Sequence, residues 1–172
     1  PLLEVLVLQR RMGWALVVFV VAGLTDALDG VIARLGHQQT TLGAMLDPVA
    51  DKVLMTSSFI ALTWAEGLAV KIPVWLTVVI LSRDAIIIVS VAIVNLTLGR
   101  RVFYPSYLGK LTTVSQLLTV GLVLLANVAG RGGELLRPVF VATLIFTVTS
   151  ALHYVYLAST QGPGRAPEEP TP

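Results

Sequence analysis

The chain contains five aspartates, and four of them, Asp26, Asp29, Asp47 and Asp51, fall within one short stretch of largely apolar sequence. An ionised carboxylate at the centre of a membrane helix costs roughly 2.5–3.5 kcal/mol on insertion scales, so a group of them persists only with cations or a water-filled cavity beside it. Asp26 and Asp29 are spaced i, i+3 and Asp47 and Asp51 i, i+4, so on helices each pair projects from one face. A short turn between two such helices makes them antiparallel neighbours, and the four carboxylates can then converge on one point. Clustered oxygen ligands without thiolate or imidazole favour Mg2+, Mn2+ or Ca2+. There is no cysteine, which excludes disulfides, thiolate metal sites and cysteine nucleophiles, and the two histidines, His37 and His153, are too few for an imidazole cluster.

Around the acids stand three small residues, Gly30, Ala33 and Gly43, and one cation, Arg34. Small residues let a flat or phosphorylated ligand approach the backbone, and arginine offers bidentate contact with phosphate. Further along, Arg83 in mid-helix together with Lys110 and Ser106 can supply the charge that a phosphorylated second substrate requires. Each residue also has an ordinary structural use when taken singly. An aspartate caps a helix end, a glycine allows close helix packing, Arg83 sits in a buried ion pair, and Lys110 snorkels. Asp84 has no role assignable from the sequence.

The elements that must carry these residues are membrane helices. With 55% apolar and 13% charged residues over 172 positions, and a mean hydropathy of +0.83, the chain is neither a soluble globular enzyme nor a disordered segment. Uncharged runs over 111–130 and 138–164 are long enough to span a bilayer. The polar interruptions predict an all-α, polytopic six-helix transmembrane bundle. Its helices are expected over 1–8 (the end of an incomplete first helix), 12 to about 35, 41–65, 73–98, 107–129 and 138 to about 157. One transmembrane domain over 1–160 is expected, followed by a disordered tail over 161–172 that holds four of the nine prolines. Trp14, Trp64 and Trp75 read as interfacial anchors. The net charge of +2 comes from helix ends and leaves no nucleic-acid footprint, while the loop cations are too evenly divided between the two faces to orient the bundle.

Written out, residues 26–51 read D-x-x-D-G-x-x-A-R, eight residues, then G-x-x-x-D-x-x-x-D. This stretch is similar, at all eight fixed positions, to the signature of the CDP-alcohol phosphotransferase family, integral-membrane enzymes of phospholipid synthesis. The segment LGAMLDPVADKV over 42–53, the Arg83-Asp84 pair and the Pro105-Ser106-x-x-Gly109-Lys110-x-x-Thr113 stretch resemble the phosphatidylglycerolphosphate and cardiolipin synthases of that family. The resemblance covers roughly residues 12–120. It implies transfer of a phosphatidyl group from CDP-diacylglycerol to an alcohol with release of CMP, glycerol 3-phosphate being the first acceptor and phosphatidylglycerol the alternative. It implies two Mg2+ ions (or Mn2+) on Asp26, Asp29, Asp47 and Asp51, with Asp51 also the general base. By the same resemblance Asp29, Gly30, Ala33, Arg34 and Gly43 bind the CDP donor, and Arg83, Ser106 and Lys110 the acceptor phosphate. It further implies a homodimer among membrane lipids, in the cytoplasmic membrane, with the active site facing the cytosolic nucleotide pool. Relatives begin with an Asn-x-x-Thr-x-x-Arg stretch that this chain lacks, so the natural N-terminus is expected to lie upstream of Pro1.

Two rivals share some of these features. An intramembrane prenyltransferase also binds a magnesium diphosphate through aspartate pairs, but needs a second acidic stretch, and after Asp84 only Glu134, Glu168 and Glu169 follow. An ion-coupled transporter would place acids in both halves of the chain, whereas here they lie in the first.

Overall fold

The computed structural model describes the backbone of residues 2–36, 41–98 and 107–160, and the side chains of residues 2–25, 28, 52–90 and 107–154. Within them the chain forms six helices and no strand: α1 (Leu2–Leu8), α2 (Met12–Gly36), α3 (Thr41–Trp64), α4 (Val74–Leu98), α5 (Tyr107–Ala129) and α6 (Gly133–Thr160). The tail over 161–172 lies outside the described residues.

α5 lies at the centre, packed on α6, α2 and α3; α4 packs on α6 and α3, and α1 rests against α2 and α3. The core where they meet is built from Phe59, Leu62, Leu76, Val120, Val123 and Leu124. Two spans, Tyr107–Ala129 and Gly133–Tyr154, are long and apolar enough to cross a bilayer. Their outward faces are apolar and their inward faces mix apolar and polar side chains. On α5 the exposed stripe is Leu111, Val114, Leu118, Leu122 and Leu125, whereas Thr112, Ser115, Gln116 and Thr119 are buried in the first half and Val120, Val123, Leu124 and Ala126 in the second. On α6 Val141, Ile145, Val148 and Leu152 face outward, and Leu136 and Phe140, then Thr143, Thr147 and Ser150, inward. A helix in water turns its apolar stripe to the core and a polar one outward. An apolar outer face with hydroxyls inside suits a hydrocarbon solvent, in which packing of small residues and interhelical hydrogen bonds hold helices together. Those bonds are present: Thr119 Oγ1 and Thr143 Oγ1 are 2.8 Å apart, and the Thr112 hydroxyl donates to the Phe146 carbonyl at 3.1 Å.

The turns are closed by recognisable chemistry. α5 ends with Gly130 at φ 66°, where the Gly130 N–H donates to the Asn127 carbonyl at 3.3 Å and the Arg131 N–H to that of Ala126 at 3.2 Å, a Schellman ending. α1 ends in the same way with Arg10 in the left-handed position, φ 59°. The guanidinium of Arg10 lies against Gly67, so the start of α2 meets the α3–α4 turn at one end of the bundle. Trp14, Trp64 and Trp75, all exposed, gather at that end. The α3–α4 turn is fastened to α5 by Asn127, whose Oδ1 accepts the Val70 N–H at 3.1 Å while its Nδ2 donates to the Val70 and Val123 carbonyls at 2.8 Å each.

The sixth helix corrects the expectation. It begins at Gly133, with Pro138 inside it, whereas the sequence pointed to a turn up to Arg137 and a start at Pro138. A proline in the second turn forgoes only its own bond to the Glu134 carbonyl. The preceding turn is held by the Leu135 N–H donating to the Gly132 carbonyl at 3.1 Å and by a Glu134–Arg137 ion pair at 3.3 Å, with the acid favourably placed in the first turn. The helix also runs on to Thr160.

Candidate active site

Asp26, Asp29, Gly30, Ala33 and Arg34 lie on α2, and Gly43, Asp47 and Asp51 on α3. Both segments are helical throughout, so the i, i+3 and i, i+4 spacings are true helical spacings. The side chains of these eight residues lie outside the described residues, as does the whole of Ser106. Among the described residues no group of three or more acid or imidazole side chains comes together.

Immediately after Asp51 the described side chains begin, and they form a charged network linking three helices. Lys52 Nζ on α3 lies 2.7 Å from Asp84 Oδ2 on α4, and Arg83 Nη1 lies 2.9 Å from Asp84 Oδ1. Arg83 Nη2 donates to Ser150 Oγ on α6 at 2.8 Å. The side chains of Arg83 and Asp84 are 11% and 8% exposed, while that of Lys52 is 36% exposed. One carboxylate thus serves two cations, and the cluster carries a net positive charge within the bundle. The remaining N–H of the fork, Nε of Arg83, is buried and has no hydrogen-bond partner among the described residues. A buried donor left unmet costs about 1–3 kcal/mol, a cost that an incoming oxygen ligand would remove.

Lys110 stands in the first turn of α5, exposed, with Nζ 5.7 Å from the centroid of the Tyr107 ring. At an exposed site such a cation–π contact contributes about 0.5–1 kcal/mol, little enough for the ammonium to be redirected to an anion. Arg83 is therefore held by Asp84 and Ser150, and Lys110 rests on its helical neighbour.

The sequence left three participants without a role: Lys52, Asp84 and Ser150. It offered the Arg83-Asp84 pair, and a buried ion pair as an ordinary use of Arg83, but adjacent residues on a helix do not face each other, which hides that these two are partners. A charge count would have exposed it, because Lys52 and Arg83 are cations inside apolar helices and Asp84 is the one aspartate outside the motif.

A family model described as CDP-alcohol phosphatidyltransferase matches residues 1–156. The chain is 40% identical over 122 residues to a cardiolipin synthase (CMP-forming) of Streptomyces coelicolor, an alignment covering 69% of this chain and 53% of that one. It is 36% identical over 173 residues to a cardiolipin synthase (CMP-forming) of Rattus norvegicus, covering 91% and 56%. With a chain of Mycobacterium tuberculosis named probable phosphatidylglycerophosphate synthase it shares 35% identity over 147 residues, covering 85% and 65%. The alignments thus span between half and two thirds of the length of these relatives.

Proposed function

The chain belongs to the CDP-alcohol phosphatidyltransferase family, and from that premise we propose that it transfers a phosphatidyl group from CDP-diacylglycerol to glycerol 3-phosphate, giving phosphatidylglycerol phosphate and CMP. The observation that carries this reading is the set of eight fixed positions from Asp26 to Asp51, distributed over two helices that preserve their spacing. Asp26, Asp29, Asp47 and Asp51 would hold two Mg2+ ions, or Mn2+, as an all-oxygen donor set. Bound there, the metal supplies neutralisation of the donor diphosphate.

The chain's own residues account for the rest. Asp51 takes the proton of the acceptor hydroxyl. The hydroxyl oxygen then bonds to the lipid-side phosphorus, the bond from that phosphorus to the bridging oxygen breaks, and CMP leaves with the electron pair. Asp29, Gly30, Ala33, Arg34 and Gly43 form the donor site, the small residues leaving room for the cytidine and Arg34 binding phosphate. Arg83, with Ser106 and Lys110, binds the acceptor phosphate, and the Nε of Arg83, without a partner among the described residues, supports this assignment.

A second reading, transfer to phosphatidylglycerol to give cardiolipin, is favoured by the relatives named cardiolipin synthase. Both acceptors present a glycerol hydroxyl beside a phosphate. Our proposal extends to a six-helix transmembrane domain over residues 1–160, its first helix incomplete, in the cytoplasmic membrane and assembled as a homodimer. Its acids would face the cytosol, where cytidine nucleotides are available. Two outward-facing apolar helices and the exposed tryptophans support membrane residence.

The test is Mg2+-dependent CMP release from CDP-diacylglycerol by the full-length protein, with glycerol 3-phosphate, phosphatidylglycerol, inositol phosphate and serine offered separately. Glycerol 3-phosphate is expected to support release, and Asp51→Asn to reduce it by about 10²–10⁴-fold. Release with phosphatidylglycerol alone selects the second reading, and release with neither refutes both.

A further inference from the structure

Asp47 and Asp51 flank Pro48, which lies within α3. Proline has no N–H to give to the carbonyl four residues back, so the turn carrying the two acids is short of one backbone bond. With that bond missing, contacts from neighbouring helices weigh more in setting its rotation. The described polar ties between α3 and α4 are the Lys52–Asp84 bridge at 2.7 Å and the Thr63–Thr77 hydroxyl pair at 2.7 Å. Thr63 stands three turns further along α3, about 16 Å from Lys52, so it steers the other end. Lys52 directly follows Asp51. The carboxylate that receives it is also the one that receives Arg83, which Ser150 holds from α6.

We infer that Asp84 is a positioning residue: through Lys52 it sets the rotation of the α3 turn that carries Asp51, and through Arg83 it sets the acceptor cation relative to that turn. The inference rests on the proposed phosphatidyl transfer for the roles of Asp51 and Arg83. The juxtaposition of Lys52, Asp84, Arg83 and Ser150 is independent of it. The network acts as a spacer between the base and the acceptor phosphate, and none of its members is a residue proposed for the donor site.

The experiment compares wild type, Asp84→Asn, Lys52→Met and the double variant in the full-length, detergent-solubilised protein. Lys52→Met is the variant that keeps the fold testable, because it leaves Arg83 paired with its buried carboxylate. Mn2+ affinity is read from the free-ion electron paramagnetic resonance signal, and kcat and both KM values from CMP release. Replacing groups that orient metal ligands typically costs 10–100-fold in affinity or activity. In each single variant we expect Mn2+ affinity and kcat to fall by about tenfold or more, with KM for CDP-diacylglycerol, measured at saturating Mn2+, within about twofold of wild type. KM for the acceptor should rise in Asp84→Asn and not in Lys52→Met. The double variant should be no worse than Asp84→Asn, since Lys52 acts through Asp84. Unchanged Mn2+ affinity and kcat in folded Lys52→Met, or losses that multiply in the double variant, would overturn the inference. If Mn2+ affinity falls as expected but wild type releases no CMP, the proposed reaction fails and the positioning role stands.

Discussion

Replacing Asn127 by alanine isolates the fastening of the α3–α4 turn from the chemistry. The side chain makes three hydrogen bonds, two to the backbone of Val70 and one to the Val123 carbonyl, at 2.8–3.1 Å. Each is worth about 0.5–1.5 kcal/mol net, so three give roughly 1.5–4.5 kcal/mol. Asn127 is half-buried, and water can take over part of what is lost, which puts the expected destabilisation near the lower end, about 2 kcal/mol. For a chain of this size that corresponds to a fall in Tm of about 4–8 °C. The assay is thermal unfolding of the detergent-solubilised protein beside CMP release at 20 °C. Asn127 lies about 26 Å along α5 from Lys110, so the folded variant should keep wild-type kcat and KM at that temperature. A Tm within about 1 °C of wild type would show that the turn holds without Asn127, and refute the hydrogen-bond arithmetic.

Two further outcomes are expected from other contacts. Gly67→Ala should destabilise by about 1–2 kcal/mol, read as a lower Tm, because φ is +73° there, a conformation that side chains disfavour, while the exposed Arg10 guanidinium that the new methyl meets can swing aside. Thr119→Val should cost about 1–2 kcal/mol by leaving the Thr143 hydroxyl without its 2.8 Å partner, whereas the Thr119→Val/Thr143→Val double variant should recover much of that loss. The double-mutant cycle on Tm checks it, and additive losses would refute the pairing.

The helices were legible because each apolar stretch ends at a polar turn, and five of the six have ends within a residue or two of the expected ones. α6 departs because Pro138 looked like a first-turn proline, and its tolerance one turn further in depends on the glycine-led turn before it. Family and motif were legible because acids are too costly in apolar helices to be incidental. The Lys52–Asp84–Arg83–Ser150 network was not. It joins residues from three helices whose mutual rotation no linear spacing encodes, and Ser150 looks like any small residue of an apolar helix. The inward hydroxyls of α5 and α6 were hidden in the same way, since threonine and serine scarcely interrupt a hydropathy profile.

The apolar outer face and hydroxyl-bearing inner face of α5 and α6 give each helix two unlike tolerances to sequence change. Lipid tails register the outward stripe of Leu111, Val114, Leu118, Leu122 and Leu125 only as oil, so any aliphatic residue serves there and even shape is negotiable. The inward stripe registers oxygen positions to a fraction of an ångström, and the swap of threonine for valine, nearly invisible in volume, removes a rivet. Engineering of this bundle therefore has a free face and a fixed face on the same helix, as in a water-soluble protein, but here the free face must stay apolar and the fixed face holds the hydroxyls.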